Sequence, residues 1–161
     1  MNLNNEWQDR IADSYARHAR SVWRVCYYFM QNPADADDLQ QETFIKLIEK
    51  NPDFKDERHE RGWLIVTAAN LCKDALKGSH RYHESLDEHP ELEAEYEIVK
   101  TELFEALAQL PDEYKTVIYL SGFEGYTYRE IAKFVNKSVS NVGVLLYRAR
   151  KMLKDIMEGT L

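Results

Sequence analysis

Residues 110–153, LPDEYKTVIYLSGFEGYTYREIAKFVNKSVSNVGVLLYRARKML, contain two helical patterns on either side of a tight turn. Thr127 and Glu130 have capping-box spacing, in which the hydroxyl accepts from the backbone N–H three residues on and the carboxylate reaches back. Residues 136–138, Asn-Lys-Ser, have turn composition, and either Ser138 or Ser140 can cap the helix that follows. Two helices joined by a short turn are typical of a helix-turn-helix.

The second of these helices has two faces of different chemistry. One face carries an apolar stripe at helical spacing, formed by Val142, Leu146, Ala149 and Leu153 and widened by Leu145 and Met152. The opposite face carries Ser140, Asn141, Val144, Tyr147, Arg148 and Lys151. A DNA-recognition helix has this layout. A helical hairpin with a solvated basic end has it too, because cations suit the last turn of any helix.

Charge is distributed unevenly along the chain. The whole sequence carries a net charge of −7, and residues 84–113 contain 11 acidic residues and one basic residue. Residues 126–154 contain seven basic residues and one acidic residue, a local net charge of +6. Since local cations govern affinity for phosphate, the basic end is compatible with nucleic acid despite the acidic total.

Composition narrows the class of protein. No apolar run approaches the ~20 residues that span a bilayer, and the first residues lack the basic and apolar regions of a signal peptide. We therefore expect a cytoplasmic protein without membrane insertion. Cys26 and Cys72 lie within apolar helical patterns, which favours buried, reduced thiols over a disulfide.

Motifs for enzymatic chemistry are absent from the sequence. It has no phosphate-cradling glycine loop, no G-x-S-x-G and no Cys–His pair at zinc-finger spacing. We predict no enzyme activity, no catalytic residue and no cofactor. His80, His83 and His89 are close in sequence, but they lie in a polar stretch without a spaced partner set, so no metal site is expected.

The rest of the chain also has helical patterns. Helices are predicted over about 7–30, from Pro33 with Asn32 as N-cap to about Lys50, over 61–77, and over 92–110. Residues 79–91 lack apolar periodicity and form either a linker or a frayed helix end. No alternating β pattern stands out. The fold class is therefore all-α, with two small helical domains joined by an acidic linker.

Two helix faces suggest binding. The apolar stripe of the second helix is predicted to be Phe44, Leu47 and Ile48, helped by Leu39. Asp38, Gln41, Glu42 and Ile45 share a different face, which suits either a protein–protein contact or an ordinary solvated face. On the third helix, one face carries Trp63, Thr67, Asn70, Lys73, Asp74 and Lys77. Such a face can stack on and hydrogen-bond single-stranded bases, or it can be packing around a tryptophan with solvated lysines.

Three motifs in order resemble the bacterial sigma-70 family. DADDLQQETFIKLIEK at 35–50 resembles its conserved region 2 helix, ERGWLIVTAANLCKDALK at 60–77 resembles its promoter-melting segment, and residues 110–154 resemble region 4. The short length and the acidic linker resemble the extracytoplasmic function (ECF) group. The resemblance covers nearly the whole chain and implies region 2 at 1–80, a linker at 81–99 and region 4 at 100–161.

The resemblance also implies partners. Region 2 would bind the clamp coiled coil of the largest subunit of core RNA polymerase, and the polymerase flap is a further implied contact. An anti-sigma factor would hold the free protein, at the membrane where that factor is membrane-bound. The implied polymerase contact lies in or near Asp37, Asp38, Leu39, Gln41, Glu42 and Phe44.

Promoter DNA is the other implied partner, and its binding would direct promoter recognition and melting. For the −10 element the implied residues are Trp63, Asn70, Lys73, Lys77 and Arg81, with Asn70 in the pocket for a flipped base and residues 51–60 as its variable wall. For the −35 element they are Thr127, Ser140, Asn141, Val144, Tyr147, Arg148 and Lys151.

One segment departs from the family pattern. Gly143-Val144-Leu145 stands where the family often has a lysine or arginine, then serine, then arginine. Either the backbone at Gly143 approaches something closely, or base readout shifts to neighbouring side chains. Two other functions remain open: a helix-turn-helix regulator with an N-terminal helical interaction domain, and a helical interaction protein without DNA binding.

Overall fold

The computed structural model describes residues 3–78 and 102–159, and every regular element within these ranges is helical. The elements are α1 (Leu3–Met30), α2 (Pro33–Lys50), α3 (Glu57–Lys77), α4 (Glu102–Ala108), α5 (Asp112–Ile118), a π-helical turn (Tyr119–Phe123), α6 (Tyr128–Val135) and α7 (Val139–Glu158). The all-α prediction is confirmed. The linker at 81–99, Arg81, and His80, His83 and His89 lie outside the described residues, as does the part of the predicted 92–110 helix that precedes Glu102.

The chain divides into two compact units, Met1–Ser85 and Leu86–Leu161. In the first unit, α1 packs against both α2 and α3, which also contact each other. Its core is made of large apolar side chains: Val22, Trp23, Tyr28, Leu39, Phe44, Leu47, Leu64 and Ile65. In the second unit, α7 packs against α4, α5 and α6, around Leu107, Leu120, Ile131, Val142 and Leu146.

Capping side chains explain where the helices of the first unit begin and end. The Asn32 side chain accepts from the Asp35 N–H at 3.1 Å, and Pro33 occupies the first helical position, as predicted. Asn51 ends α2 in a left-handed conformation with φ 42°. Helix α3 begins at Glu57 rather than near Arg61, because Asp56 caps it by accepting from the His59 N–H at 2.8 Å.

Packing corrects one apolar stripe predicted from sequence. In α2, Leu39, Phe44 and Leu47 are buried, but Ile48 is exposed. Ile48 is about 100° further round the helix than Leu47, beyond the arc that α1 and α3 cover.

His18 and the two cysteines are buried in the first unit. His18 is 1% exposed, and within the described part of the chain neither ring nitrogen, nor the buried Ser14 hydroxyl one turn earlier, has a hydrogen-bond partner. Burial lowers the pKa of His18. Cys26 and Cys72 are free and buried, as predicted, and their mutual hydrogen bond, together with burial, raises the pKa of Cys26.

Candidate nucleic-acid interface

Helices α6 and α7 are joined by a turn with helix-turn-helix geometry. At the start of α6, the Thr127 hydroxyl accepts from the Glu130 N–H at 3.1 Å, and Glu130 accepts from the Thr127 N–H at 3.0 Å. Asn136 adopts a left-handed conformation with φ 56°, which reverses the chain after α6. Ser138 then caps α7 by accepting from the Asn141 N–H at 3.0 Å, so Ser138 rather than Ser140 is the cap.

A second contact ties this turn to α5. The Lys137 Nζ atom lies 2.9 Å from a Glu113 carboxylate oxygen. Both side chains are substantially exposed, so the pair orients the turn more than it stabilises it.

The exposed face of α7 contains the six residues predicted for it: Ser140, Asn141, Val144, Tyr147, Arg148 and Lys151. The opposite face is buried through Val142, Leu146 and Ala149. We call these six residues the α7 face. Residues 139–147 contain no charged side chain, so the cations of this face are confined to Arg148 and Lys151.

Helix α2 presents an acidic surface with one aliphatic side chain. Asp38, Gln41 and Glu42 are exposed, and Ile45, about one turn further along the same face, is 50% exposed. We call these four residues the α2 face. Charged groups around an exposed aliphatic residue can combine electrostatic attraction with apolar burial, as protein–protein interfaces do.

The loop before α3 is held from several directions. Arg10 of α1 donates to the Asn51 side chain at 3.2 Å and also to the carbonyl of Pro52. Phe54 packs edge-on against His59 and Trp63, with ring centroids 5.4 Å and 5.8 Å apart. The loop therefore presents an aromatic cluster at the N-terminal end of α3.

The α3 face beside this cluster is polar. Asn70 and Lys77 are exposed, Trp63 and Lys73 are half-buried, and Trp63, Asn70 and Lys77 follow one another at seven-residue intervals along the helix. An aromatic ring, an amide and an ammonium group along one line suit a single strand of nucleic acid.

Two family models match the chain in the order of these surfaces. The model for sigma-70 region 2 matches residues 14–82, which include the α2 face and α3. The model for sigma-70 region 4 matches residues 100–153, which include the helix-turn-helix. This chain belongs to the ECF group of the sigma-70 family. Members of this family give RNA polymerase its promoter specificity, and this is the function of the chain.

Several curated sigma factors are similar over most of this one. The ECF RNA polymerase sigma factor SigE of Mycolicibacterium smegmatis is 30% identical over 152 residues, covering 88% of this chain and 59% of SigE. SigV of Bacillus subtilis is 28% identical over 140 residues, covering 85% of this chain and 84% of SigV. The chain thus spans less than two thirds of the first relative and most of the second.

Two solved structures share the fold. CnrH, in complex with the cytosolic domain of CnrY, matches with a TM-score of 0.71 and 24% identity, covering 96% of this chain and 91% of CnrH. The sigma factor RpoE from Bartonella quintana, in complex with the anti-sigma factor NepR, matches with a TM-score of 0.69 and 19% identity, covering 91% of this chain and 96% of RpoE.

The predicted polymerase-contact residues of this sigma factor divide into three structural groups. Asp38, Gln41 and Glu42 are exposed on the α2 face. Leu39 and Phe44 are buried, so their part in any contact is indirect. Asp37 is half-buried and accepts from the indole N–H of Trp23 at 2.8 Å, which gives its carboxylate a structural partner.

Sequence reasoning gave residues 51–60 of this sigma factor as a wall of the pocket but did not single out three residues that shape or fasten it. Phe54 and His59 complete the aromatic cluster on Trp63, and Arg10 fastens the loop across 41 positions of sequence. The one available signal was Phe54, an aromatic residue in an otherwise polar segment. Arg10 gave none, because its partners are distant in sequence.

Within this chain, the atoms that face Gly143 belong to the Tyr128 ring. A Cβ atom built on Gly143 would lie 3.9 Å from the Tyr128 ring, which is ordinary van der Waals contact. The Tyr128 hydroxyl accepts from Arg150 at 3.0 Å, and Arg150 also reaches Ser121 at 3.5 Å. Within the described part of this chain, no close backbone approach therefore demands glycine at 143. Arg150 hydrogen-bonds within its own unit.

Within the described ranges, no group of three or more His, Cys, Asp or Glu side chains could hold a metal ion. Among the helices of those same ranges, none is long and apolar enough to cross a membrane.

Proposed function

We propose that this sigma factor docks on core RNA polymerase through the α2 face and reads two promoter elements, one with each unit. The observation that carries the proposal is the occurrence, on one chain, of an exposed helix-turn-helix face and a separate acidic helix face, each within the matching sigma region. A regulator that used only the helix-turn-helix would not need the second surface. The protein makes and breaks no bond in this role.

The polymerase contact is centred on Asp38, Glu42 and Ile45. The carboxylates attract a basic surface and set its orientation, while the half-exposed isoleucine supplies apolar area to bury. Leu39 and Phe44 lie beneath and keep α2 in place. The partner surface is the clamp coiled coil of the largest subunit.

The −10 element is captured as single strand by α3 and the loop before it. Flipping a base out of the stack costs about a few kcal/mol, which contacts in a pocket must offset. Asn70 supplies hydrogen bonds, Trp63 with Phe54 supplies the aromatic wall, and Lys73 and Lys77 face the phosphates. Because Arg10 fastens the loop before DNA arrives, less ordering entropy is lost on binding.

The −35 element is read as duplex by the α7 face in the major groove, with flap contact from the same unit. Thr127 adds a phosphate contact at the start of α6, because its cap uses the hydroxyl oxygen as an acceptor and leaves the proton to donate. Arg148 and Lys151 approach the backbone further along α7.

An anti-sigma factor of the kind seen with RpoE holds the free protein by covering its polymerase-binding surfaces. The chain then works in the cytoplasm, where the polymerase is located. It is held at the membrane only if its anti-sigma factor is a membrane protein.

Run-off transcription with purified core polymerase on a promoter library tests this proposal. Wild-type protein should produce start sites with shared upstream elements. The double variant Asp38→Lys/Glu42→Lys should abolish polymerase association. Glu6→Lys/Asp9→Lys is the matched control, since it makes the same charge change at exposed positions of α1 and should bind normally. Unchanged polymerase binding by the α2 variant, or promoter protection without polymerase, would count against the proposal.

A further inference from the structure

Val144 lies at the centre of the α7 face. Measured around the helix axis, Ser140, Tyr147, Arg148 and Lys151 all lie within about 60° of it. The buried Val142 and Leu146 lie about 160° away from it. Val144 is 45% exposed, so the middle of the surface presented to a major groove is aliphatic.

The N-terminal half of the α7 face, residues 139–147, provides few strong polar contacts to bases, because the cations Arg148 and Lys151 lie further along the helix. Residues 139–147 contain no lysine or arginine for the bidentate pairing with guanine that is the commonest specific contact. The Arg150 guanidinium donates hydrogen bonds to the hydroxyl groups of Tyr128 and Ser121. Hydrogen bonding from this half of the helix is therefore left to Ser140, Asn141 and Tyr147.

An aliphatic side chain in the major groove has one base-edge partner, the C5-methyl group of thymine. Every base presents hydrogen-bonding atoms there that valine would desolvate without replacing, but only thymine also offers a methyl group whose burial against valine offsets this cost.

We propose that Val144 reads a thymine methyl group in the −35 element, so that this promoter class is specified there by apolar contact rather than by an arginine–guanine pair. The inference rests on the proposed function and names the DNA chemistry that the α7 face recognises. It also gives a role to the departure from the family pattern at residues 143–145, where a small residue and a valine leave the centre of the face uncharged.

Deoxyuridine substitution provides a direct test, because uracil lacks the methyl group and keeps every hydrogen-bonding atom of thymine. Holoenzyme made from the full chain is bound to a promoter obtained in the run-off experiment, with each upstream thymine replaced in turn. At one of these thymines, uracil should weaken wild-type binding about fourfold, the value of one buried methyl group. Holoenzyme carrying Val144→Ala should bind the two templates equally, at the weaker level.

Val139→Ala is the matched control. Val139 is 47% exposed, nearly the same fraction as Val144, and receives the same substitution. It lies about 140° round the helix axis from Val144, away from the centre of the α7 face. This variant should retain the full difference between thymine and uracil. Uracil sensitivity that persists in Val144→Ala would overturn the inference. The inference would also be overturned if transcription started from promoters whose −35 element has no thymine, or if no uracil substitution weakened binding. In either case the proposed function would still stand. Absence of all start sites would instead refute the proposed function.

Discussion

Replacing Gly143 with alanine should stabilise the second unit. Gly143 sits inside α7, where glycine costs about 1 kcal/mol relative to alanine. The added methyl group would meet the Tyr128 ring at 3.9 Å and 4.0 Å, so it fits without displacing an atom. We expect a gain of about 1 kcal/mol in the free energy of unfolding, or a rise in Tm of about 4–8 °C for a unit of this size.

Gly125→Ala is the informative control. No heavy atom lies within 4 Å of a Cβ built there, so the space is even more open than at Gly143. Its φ of +71°, however, is a conformation that costs an L-residue about 1–2 kcal/mol. The two variants therefore receive the same methyl group, and we expect changes in stability of opposite sign.

The assay must report on the second unit alone. All three tryptophans, Trp7, Trp23 and Trp63, belong to the first unit, so tryptophan fluorescence does not follow α7. Hydrogen exchange of peptides from residues 128–158, measured across a series of urea concentrations, follows the unfolding of α7 directly. Destabilisation by Gly143→Ala, or a shift of both variants in the same direction, would refute the reasoning and point to a contact that requires glycine in α7.

Two further predictions concern the first unit, and tryptophan fluorescence in urea measures both. Asp37→Ala should cost about 1–3 kcal/mol by leaving the buried Trp23 N–H unsatisfied, whereas Asp37→Asn, which keeps an acceptor oxygen, should cost clearly less. Burial lowers the pKa of His18 in the folded protein, so as the pH falls the unfolded chain takes up a proton before the folded one does. The free energy of unfolding should therefore be highest above about pH 6.5, the ordinary pKa of histidine, and should decrease as the pH drops below it. His18→Leu should reduce this dependence of stability on pH, and a dependence as steep as that of the wild type would contradict the prediction.

Signals within a few residues of one another predicted the helix-turn-helix correctly. The capping box at Thr127 and Glu130 and the turn at residues 136–138 both follow from local backbone chemistry, and the structure confirms them. The apolar stripe of α7 was also correct, because a helix of 20 residues samples the core many times and one misplaced residue does not change the phase. Which serine caps α7 was not predictable, since Ser138 and Ser140 are equally good caps.

Positions at the edge of a stripe were harder to predict. Ile48 has the spacing of a core residue and is exposed, because the arc that α1 and α3 cover is set by how the three helices cross. Leu39 and Phe44 lie in the motif that resembles the polymerase-binding helix, yet they are buried. A motif records which residues occur together and not which of them reach the surface.

The order of the predicted helices, the caps at Asn32 and Thr127, the all-α class and the family motifs all follow from the sequence alone, because each depends on neighbours a few positions away. The hold of Arg10 on the loop at residues 51–52, the bond between Tyr128 and Arg150, and the exposure of Val144 at the middle of the α7 face arose only in three dimensions. These features join side chains far apart in sequence or depend on what neighbouring helices leave uncovered. Packing between helices, and not the local pattern of residues, determines them.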